Sequence, residues 1–99
     1  MPVQAGLIRK YNGDKVVVVK TGLSADGEDA VVVARLTQTK PSGTTPSVRA
    51  KTYVTEYWVL IGQAKTVKVT QLGTTWTPPN RLGPADVRNV QREFDKITD

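Results

Sequence analysis

The segment "LIRKYNGDKVVVV", residues 7–19, contains the clearest fold signal in the chain. Two apolar runs flank Asn12-Gly13, a dipeptide that readily accepts the positive φ angles of a two-residue β-hairpin turn. The sequence therefore predicts two antiparallel strands, at about residues 5–11 and 15–20, which this turn joins directly.

Three segments further along the chain have the composition of strands. The run "AVVVARL", residues 30–36, is β-branched and too short for a helix. "SVRAKTYV", residues 47–54, alternates as an edge strand does, whereas "YWVLIG", residues 57–62, is continuously apolar, as is typical of a buried strand.

A fourth strand is predicted for "KTVKVT", residues 65–70, because its residues also alternate. Lys65, Val67 and Val69 would share one face of this half-buried strand. Two segments between the predicted strands have loop chemistry: "TGLSADGED", residues 21–29, and "TQTKPSGTTP", residues 37–46.

The end of the chain predicts a connector followed by a helix. In "GTTWTPPNRLGP", residues 73–84, we expect Trp76 to dock on the core and Pro78-Pro79 to prevent further strand pairing. Pro84 suits the first turn of a helix that Gly83 caps. The apolar residues that recur at helical spacing after it are Val87, Val90, Phe94 and Ile97.

About six short strands and one terminal helix predict a mostly β fold of the α+β class. The specific expectation is a small SH3-like, partly open β-barrel with a C-terminal helix. Because 99 residues suffice for one small core, residues 1–99 are expected to form a single domain.

The composition excludes several kinds of chemistry. The chain has no cysteine and no histidine, so it has no disulfide, thiolate metal site, cysteine nucleophile or imidazole base. Acid–base chemistry would have to use carboxylate, amine, guanidinium, phenol or hydroxyl groups. We therefore expect neither a metal site nor a cofactor.

The apolar runs are short. The longest, at residues 30–34 and 57–61, fall far below the roughly 20 residues that span a bilayer. The amino end also lacks the apolar core of a signal peptide. These features predict a cytoplasmic protein without a membrane partner.

Positive charge is concentrated in the middle of the chain. Of the net charge of +5, residues 30–82 contribute +6, with seven basic residues and Glu56 as their only acid. Phosphates attract Lys and Arg and release counterions, so this asymmetry fits a polyanionic partner. The alternative is a solvated basic surface that serves solubility.

Three segments resemble the MazF/PemK toxins of bacterial toxin–antitoxin modules: residues 15–40, "VLIGQAKTVKVTQL" at residues 59–72 and "NRLGPADVRNVQREFDKI" at residues 80–97. The resemblance covers roughly residues 14–97. Its most specific segment comprises Gln63, Lys65, Thr66, Val67 and Leu72, with Lys65 in place of the family's arginine.

The resemblance implies a metal-independent endoribonuclease that cleaves single-stranded RNA. It further implies a homodimer that an antitoxin peptide silences. In such chemistry a 2′-hydroxyl of the substrate attacks the adjacent phosphorus, and cationic and hydroxyl groups stabilise the developing charge.

By the same resemblance, Thr37 falls on the family's hydroxyl position and is expected to orient the scissile phosphate. The position of a leading catalytic arginine is occupied by Asp14-Lys15, so the family's arginine is not matched and Lys15 is the predicted second catalytic residue. The predicted RNA-binding residues are Lys10, Arg35, Thr39, Lys40, Lys65 and Lys68.

Four residues of the matching segments, Thr37, Gln63, Lys65 and Thr66, also have a structural interpretation. Thr37 is equally explained as a threonine at a strand end that bonds to the adjacent loop backbone. Lys65 is explained as a solvated strand lysine, and Gln63 and Thr66 as buried groups that tie a loop to the barrel.

A second class of function is a non-catalytic module that binds nucleic acid or protein on the same barrel. Toxins that poison DNA gyrase share this fold, so the fold alone does not decide between the two classes.

Overall fold

The computed structural model of the chain describes residues 4–41, 43, 46–52, 55–73 and 80–98. Within these ranges six strands precede one helix, and this confirms the predicted mostly β, α+β class. The elements are β1 Ile8–Tyr11, β2 Asp14–Ala25, β3 Glu28–Thr37, β4 Val48–Lys51, β5 Glu56–Val59, β6 Lys65–Lys68 and α1 Pro84–Thr98.

The described strands form one antiparallel sheet in the order β1-β2-β3-β5-β4, and β6 also pairs with β3. The same edge of β3 pairs with β6 over residues 30–33 and with β5 over residues 36–37. The described strands do not close into a barrel, so the fold is partly open, as predicted.

The hairpin predicted at Asn12-Gly13 is confirmed. The φ angles of these two residues are 50° and 82°, and Tyr11 pairs directly with Asp14 across the turn. Only glycine adopts such angles without steric cost, and asparagine tolerates them better than most other residues.

The loop predicted at residues 21–29 is wrong. β2 continues to Ala25 and β3 begins at Glu28, and Asp26-Gly27 forms a second two-residue turn with φ angles of 52° and 79°. Shifts in register within residues 18–23 break the regular alternation of β2. This irregularity is why the segment resembles a loop in the sequence.

Two other strands end earlier than predicted. β6 ends at Lys68, where the chain turns through a 3-10 helix at Val69–Gln71. β5 ends at Val59, although Leu60 and Ile61 are buried as expected.

The predicted edge strand is confirmed, since β4 lies at one end of the sheet order. Its predicted last residues, 53–54, lie outside the described residues. So do Trp76 and Pro78-Pro79, for which the sequence predicts docking on the core and an end to strand pairing.

The sheet buries apolar residues on both faces. We call the face that carries Val17, Val32 and Ala34 the inner face; it packs against α1. The opposite face we call the outer face. It carries a second buried cluster: Val16, Val18, Val31, Val33 and Val67.

Helix α1 begins at Pro84, and Val87 N–H donates to Gly83 O at 2.9 Å, so the predicted cap is confirmed. Val90 is buried, and Val87 and Phe94 contact the inner core. Ile97, the last member of the predicted stripe, is instead 46% exposed. No helix within the described ranges has the length and apolar character that crossing a membrane requires.

The contact between Gly6 and α1 predicts a sensitive position. Gly6 has a φ of +93°, and a Cβ atom there would lie 2.6 Å from Cγ2 of Val87. We expect Gly6→Ala to lower the free energy of unfolding by about 3 kcal/mol, since backbone strain and overpacking add.

Urea unfolding measures this loss, and Gly13→Ala is the matched control. Gly13 has a similar φ of +82° but no neighbouring atom within 4 Å, so about 1–2 kcal/mol of backbone strain is expected there. Equal losses in the two variants would show that the helix does not press on Gly6.

Candidate nucleic-acid interface

The alternation of side chains along a strand determines the face of the sheet on which each predicted site residue lies. Ala34 and Leu36 belong to the inner core, so Arg35 and Thr37 project from the outer face. Lys65 pairs with Val33, an outer-face residue, and projects from the same side. The outer face thus brings together Arg35, Thr37 and Lys65.

A cleft of about 150 Å³ opens on this face beside the β1–β2 turn. Val16 and Val33, which belong to the outer cluster, form its apolar floor. The polar and aromatic residues around that floor are Tyr11, Asn12, Asp14, Arg35, Gln63 and Lys65.

On the outer face, each of two aromatic rings has a lysine ammonium group positioned over it. Lys65 Nζ lies 4.5 Å from the centroid of Tyr11, and Lys40 Nζ lies 5.7 Å from the centroid of Trp58. Trp58 projects outward because its neighbours Tyr57 and Val59 belong to the inner core. Each ring therefore combines an apolar stacking surface with a nearby cation.

These groups extend across several strands. Tyr11 pairs with Asp14 between β1 and β2, and Thr37 pairs with Trp58 between β3 and β5. Arg49, on β4, pairs with Trp58 in turn. Three strand spacings of about 4.8 Å separate β1 from β5, so the two rings lie on the order of 14 Å apart. An extended ligand can therefore contact both.

Two of the outer-face arginines, Arg35 and Arg49, have a carboxylate near them, whereas Arg9, which pairs with Val16, donates to Gly73 O. Arg35 Nε lies 4.0 Å from Asp14 Oδ2, and Arg49 Nε lies 3.5 Å from Glu56 Oε1. All four side chains are more than half exposed. Exposed pairs of this kind contribute at most about 1 kcal/mol, so an incoming phosphate can compete for both guanidinium groups.

Lys15, the second predicted catalytic residue, lies on the inner side. Its Nζ donates a 2.9 Å hydrogen bond to the hydroxyl of Tyr57, an inner-core residue, and lies 4.8 Å from the centroid of that ring. Lys10 pairs with Lys15 across the β1–β2 hairpin and shares its side of the sheet. The structure therefore places Lys15 and Thr37 on opposite faces.

Lys68 is held by acids at the tip of the β2–β3 hairpin. Its Nζ lies 3.0 Å from Glu28 Oε2 and 3.5 Å from Asp26 Oδ2. Because it follows the outer-face residue Val67, Lys68 does not share the side of Lys65. Its charge is therefore engaged away from the cleft.

Thr37 and Thr39 are linked by a local hydrogen bond. Thr39 N–H donates to Thr37 Oγ1 at 3.2 Å, which is the contact that the structural interpretation of Thr37 predicts. Thr37 is half-buried and Thr39 exposed, so the hydroxyl of Thr37 lies near the surface at the end of β3.

The interpretation of Gln63 and Thr66 as buried groups is wrong. Both residues are exposed, and Gln63 lines the cleft. The 3-10 turn at Ile61–Gln63 buries Ile61 instead and leaves the side chain of Gln63 at the rim.

Sequence reasoning missed Tyr11, Trp58, Arg49 and Asp14 as members of this surface. The signal for Trp58 was its place between Tyr57 and Val59, since alternation along a strand puts it on the face opposite to both. A continuous apolar run obscures that alternation.

Among the described residues, no three acidic side chains converge in the way that would hold a metal ion. The chain matches no protein-family model, and no curated protein or solved structure is significantly similar to it. The resemblance to MazF/PemK toxins accordingly stays a prediction.

Proposed function

We propose that this chain binds single-stranded RNA across its outer face. The observation that carries the proposal is that two half-buried rings each pair with a lysine, Tyr11 with Lys65 and Trp58 with Lys40, on the face that also carries Arg35. Rings stack on bases, and cations neutralise phosphates. An unpaired, extended strand uses both kinds of contact at once.

A duplex suits this surface less well than a single strand. Paired bases stack on one another, so their faces are not available to Tyr11 or Trp58. The spacing of about 14 Å between the two rings also suits a ligand that lies extended across the strands.

The metal-independent endoribonuclease is the second candidate. In its favour, Arg35 and Thr37 project from the same face two residues apart, so a phosphodiester bound by Arg35 would lie close to the hydroxyl. Against it, Lys15 lies on the other face. The antitoxin peptide belongs to this candidate and rests on the resemblance alone. A homodimer would suit either candidate, because a domain this small gains stability from sharing buried surface.

The salt dependence of RNA binding should correspond to phosphate contacts by four cations. If Arg35, Lys40, Arg49 and Lys65 contact phosphates, the logarithm of the association constant should fall with the logarithm of salt concentration with a slope of about −3. Fluorescence anisotropy of a labelled RNA decamer measures this slope. Binding too weak to detect, or a slope near zero, would refute the proposal.

The same RNA, incubated with the protein in EDTA and separated on a gel, distinguishes the two candidates. We expect it to stay intact. Cleavage that disappears in Thr37→Val would establish the endoribonuclease instead, whereas cleavage that persists unchanged in this variant would point to a contaminating nuclease.

A further inference from the structure

We propose that the cleft on the outer face is a nucleobase pocket in which Asp14 selects bases that carry an exocyclic amino group. The inference rests on the RNA binding proposed above and adds to it a chemical basis for sequence preference.

The size of the cleft restricts its occupant to one small group. Its volume of about 150 Å³ corresponds to about five water molecules. Within a single strand of RNA, the groups of that size are one phosphate or one base.

The residues that line the cleft favour a base over a phosphate as its occupant. The floor consists of Val16 and Val33, and the ring of Tyr11 forms one wall. A phosphate would lose hydration against the valines and would also be repelled by Asp14. A planar base presents apolar faces to such surfaces and polar atoms only along its edge.

Asp14 determines which edge is accepted. An ionised carboxylate only accepts hydrogen bonds, and its two oxygens offer about four acceptor positions. Arg35 approaches one of these oxygens no closer than 4.0 Å, which leaves acceptor positions open. Cytosine presents an N4 amino donor, whereas uracil presents a carbonyl oxygen at the corresponding place and would repel the carboxylate.

The other polar groups of the cleft fit this arrangement. The amides of Asn12 and Gln63 both donate and accept, so they can serve the remaining edge atoms of several bases and do not impose the choice. Arg35 and Lys65 are the cations of the cleft and would bind the phosphates that flank the bound base.

The test compares RNA decamers of cytidine and of uridine by fluorescence anisotropy. We expect the unmodified chain to bind the cytidine decamer at least about threefold more tightly. In Asp14→Asn this preference should fall below about twofold, because an amide both donates and accepts and so suits either base.

Asp29→Asn is the matched control. Asp29 is exposed on β3 beside the β2–β3 turn, where it pairs with Ser24. Both substitutions remove one negative charge, so both should raise the affinity for RNA in general. Only Asp14→Asn should change the ratio between the two decamers.

The outcomes separate this inference from the proposed function. Tight binding of both decamers with equal affinity, or a preference for uridine, would overturn the pocket and leave RNA binding intact. Failure of the unmodified chain to bind either decamer would overturn the proposed function itself. If Asp14→Asn leaves the preference for cytidine unchanged, the inference that Asp14 selects the base is wrong.

Discussion

Replacing Arg35 and Lys65 together by glutamine should weaken the binding of single-stranded RNA at least about tenfold. Both cations lie at the cleft, and Lys65 also lies over the ring of Tyr11. Glutamine keeps part of the length and polarity of each side chain but cannot neutralise a phosphate. Fluorescence anisotropy at fixed salt concentration gives the ratio of dissociation constants.

The matched control is the double variant Arg88→Gln, Arg92→Gln. Both arginines are exposed on α1, and the change also removes two positive charges. We expect a loss of about twofold or less, because these charges act only at long range through screening salt. Equal losses in the two double variants would mean that RNA responds to total charge and not to the outer face.

Trp58→Leu should weaken RNA binding by about tenfold. A stacked base contributes about 1–3 kcal/mol, and leucine retains an apolar side chain without the aromatic face. Trp58 is only half-buried, and the core residues beside it, Tyr57 and Val59, are left unchanged. Circular dichroism and urea unfolding show whether the fold persists, and anisotropy measures the affinity.

Phe94→Leu is the control for this aromatic change. Phe94 contacts the inner core, and Lys20 Nζ lies 5.6 Å from its ring centroid, so it too pairs a ring with a cation. We expect its RNA affinity to stay within about twofold of the unmodified chain. A tenfold loss in this variant, or none in Trp58→Leu, would contradict stacking on the outer face.

Local chemistry predicted much of the fold. The turn at Asn12-Gly13 and the helix that begins at Pro84 after Gly83 both follow from conformational preferences of the residues themselves. Asp26-Gly27 carries the same turn signal, but the irregular strand around Gly22 hides it. The turn signal is therefore present in the sequence, within a segment whose composition is otherwise typical of a loop.

The site was harder to predict from the sequence than the fold, because it depends on pairing between distant segments. The shared face of Arg35 and Lys65 requires the register in which Val33 pairs with Lys65, which no local pattern fixes. Alternation also places Lys15 on the face opposite to Val16. The predicted cations therefore include residues that do not lie on the outer face.

Chemical-shift mapping of backbone amides during titration with an RNA decamer tests the proposed outer-face interface directly. If the outer face binds RNA, the largest shifts should fall on Tyr11, Arg35, Thr37, Trp58 and Lys65. Largest shifts on α1 at Arg88 and Arg92, with the outer-face amides unmoved, would contradict it.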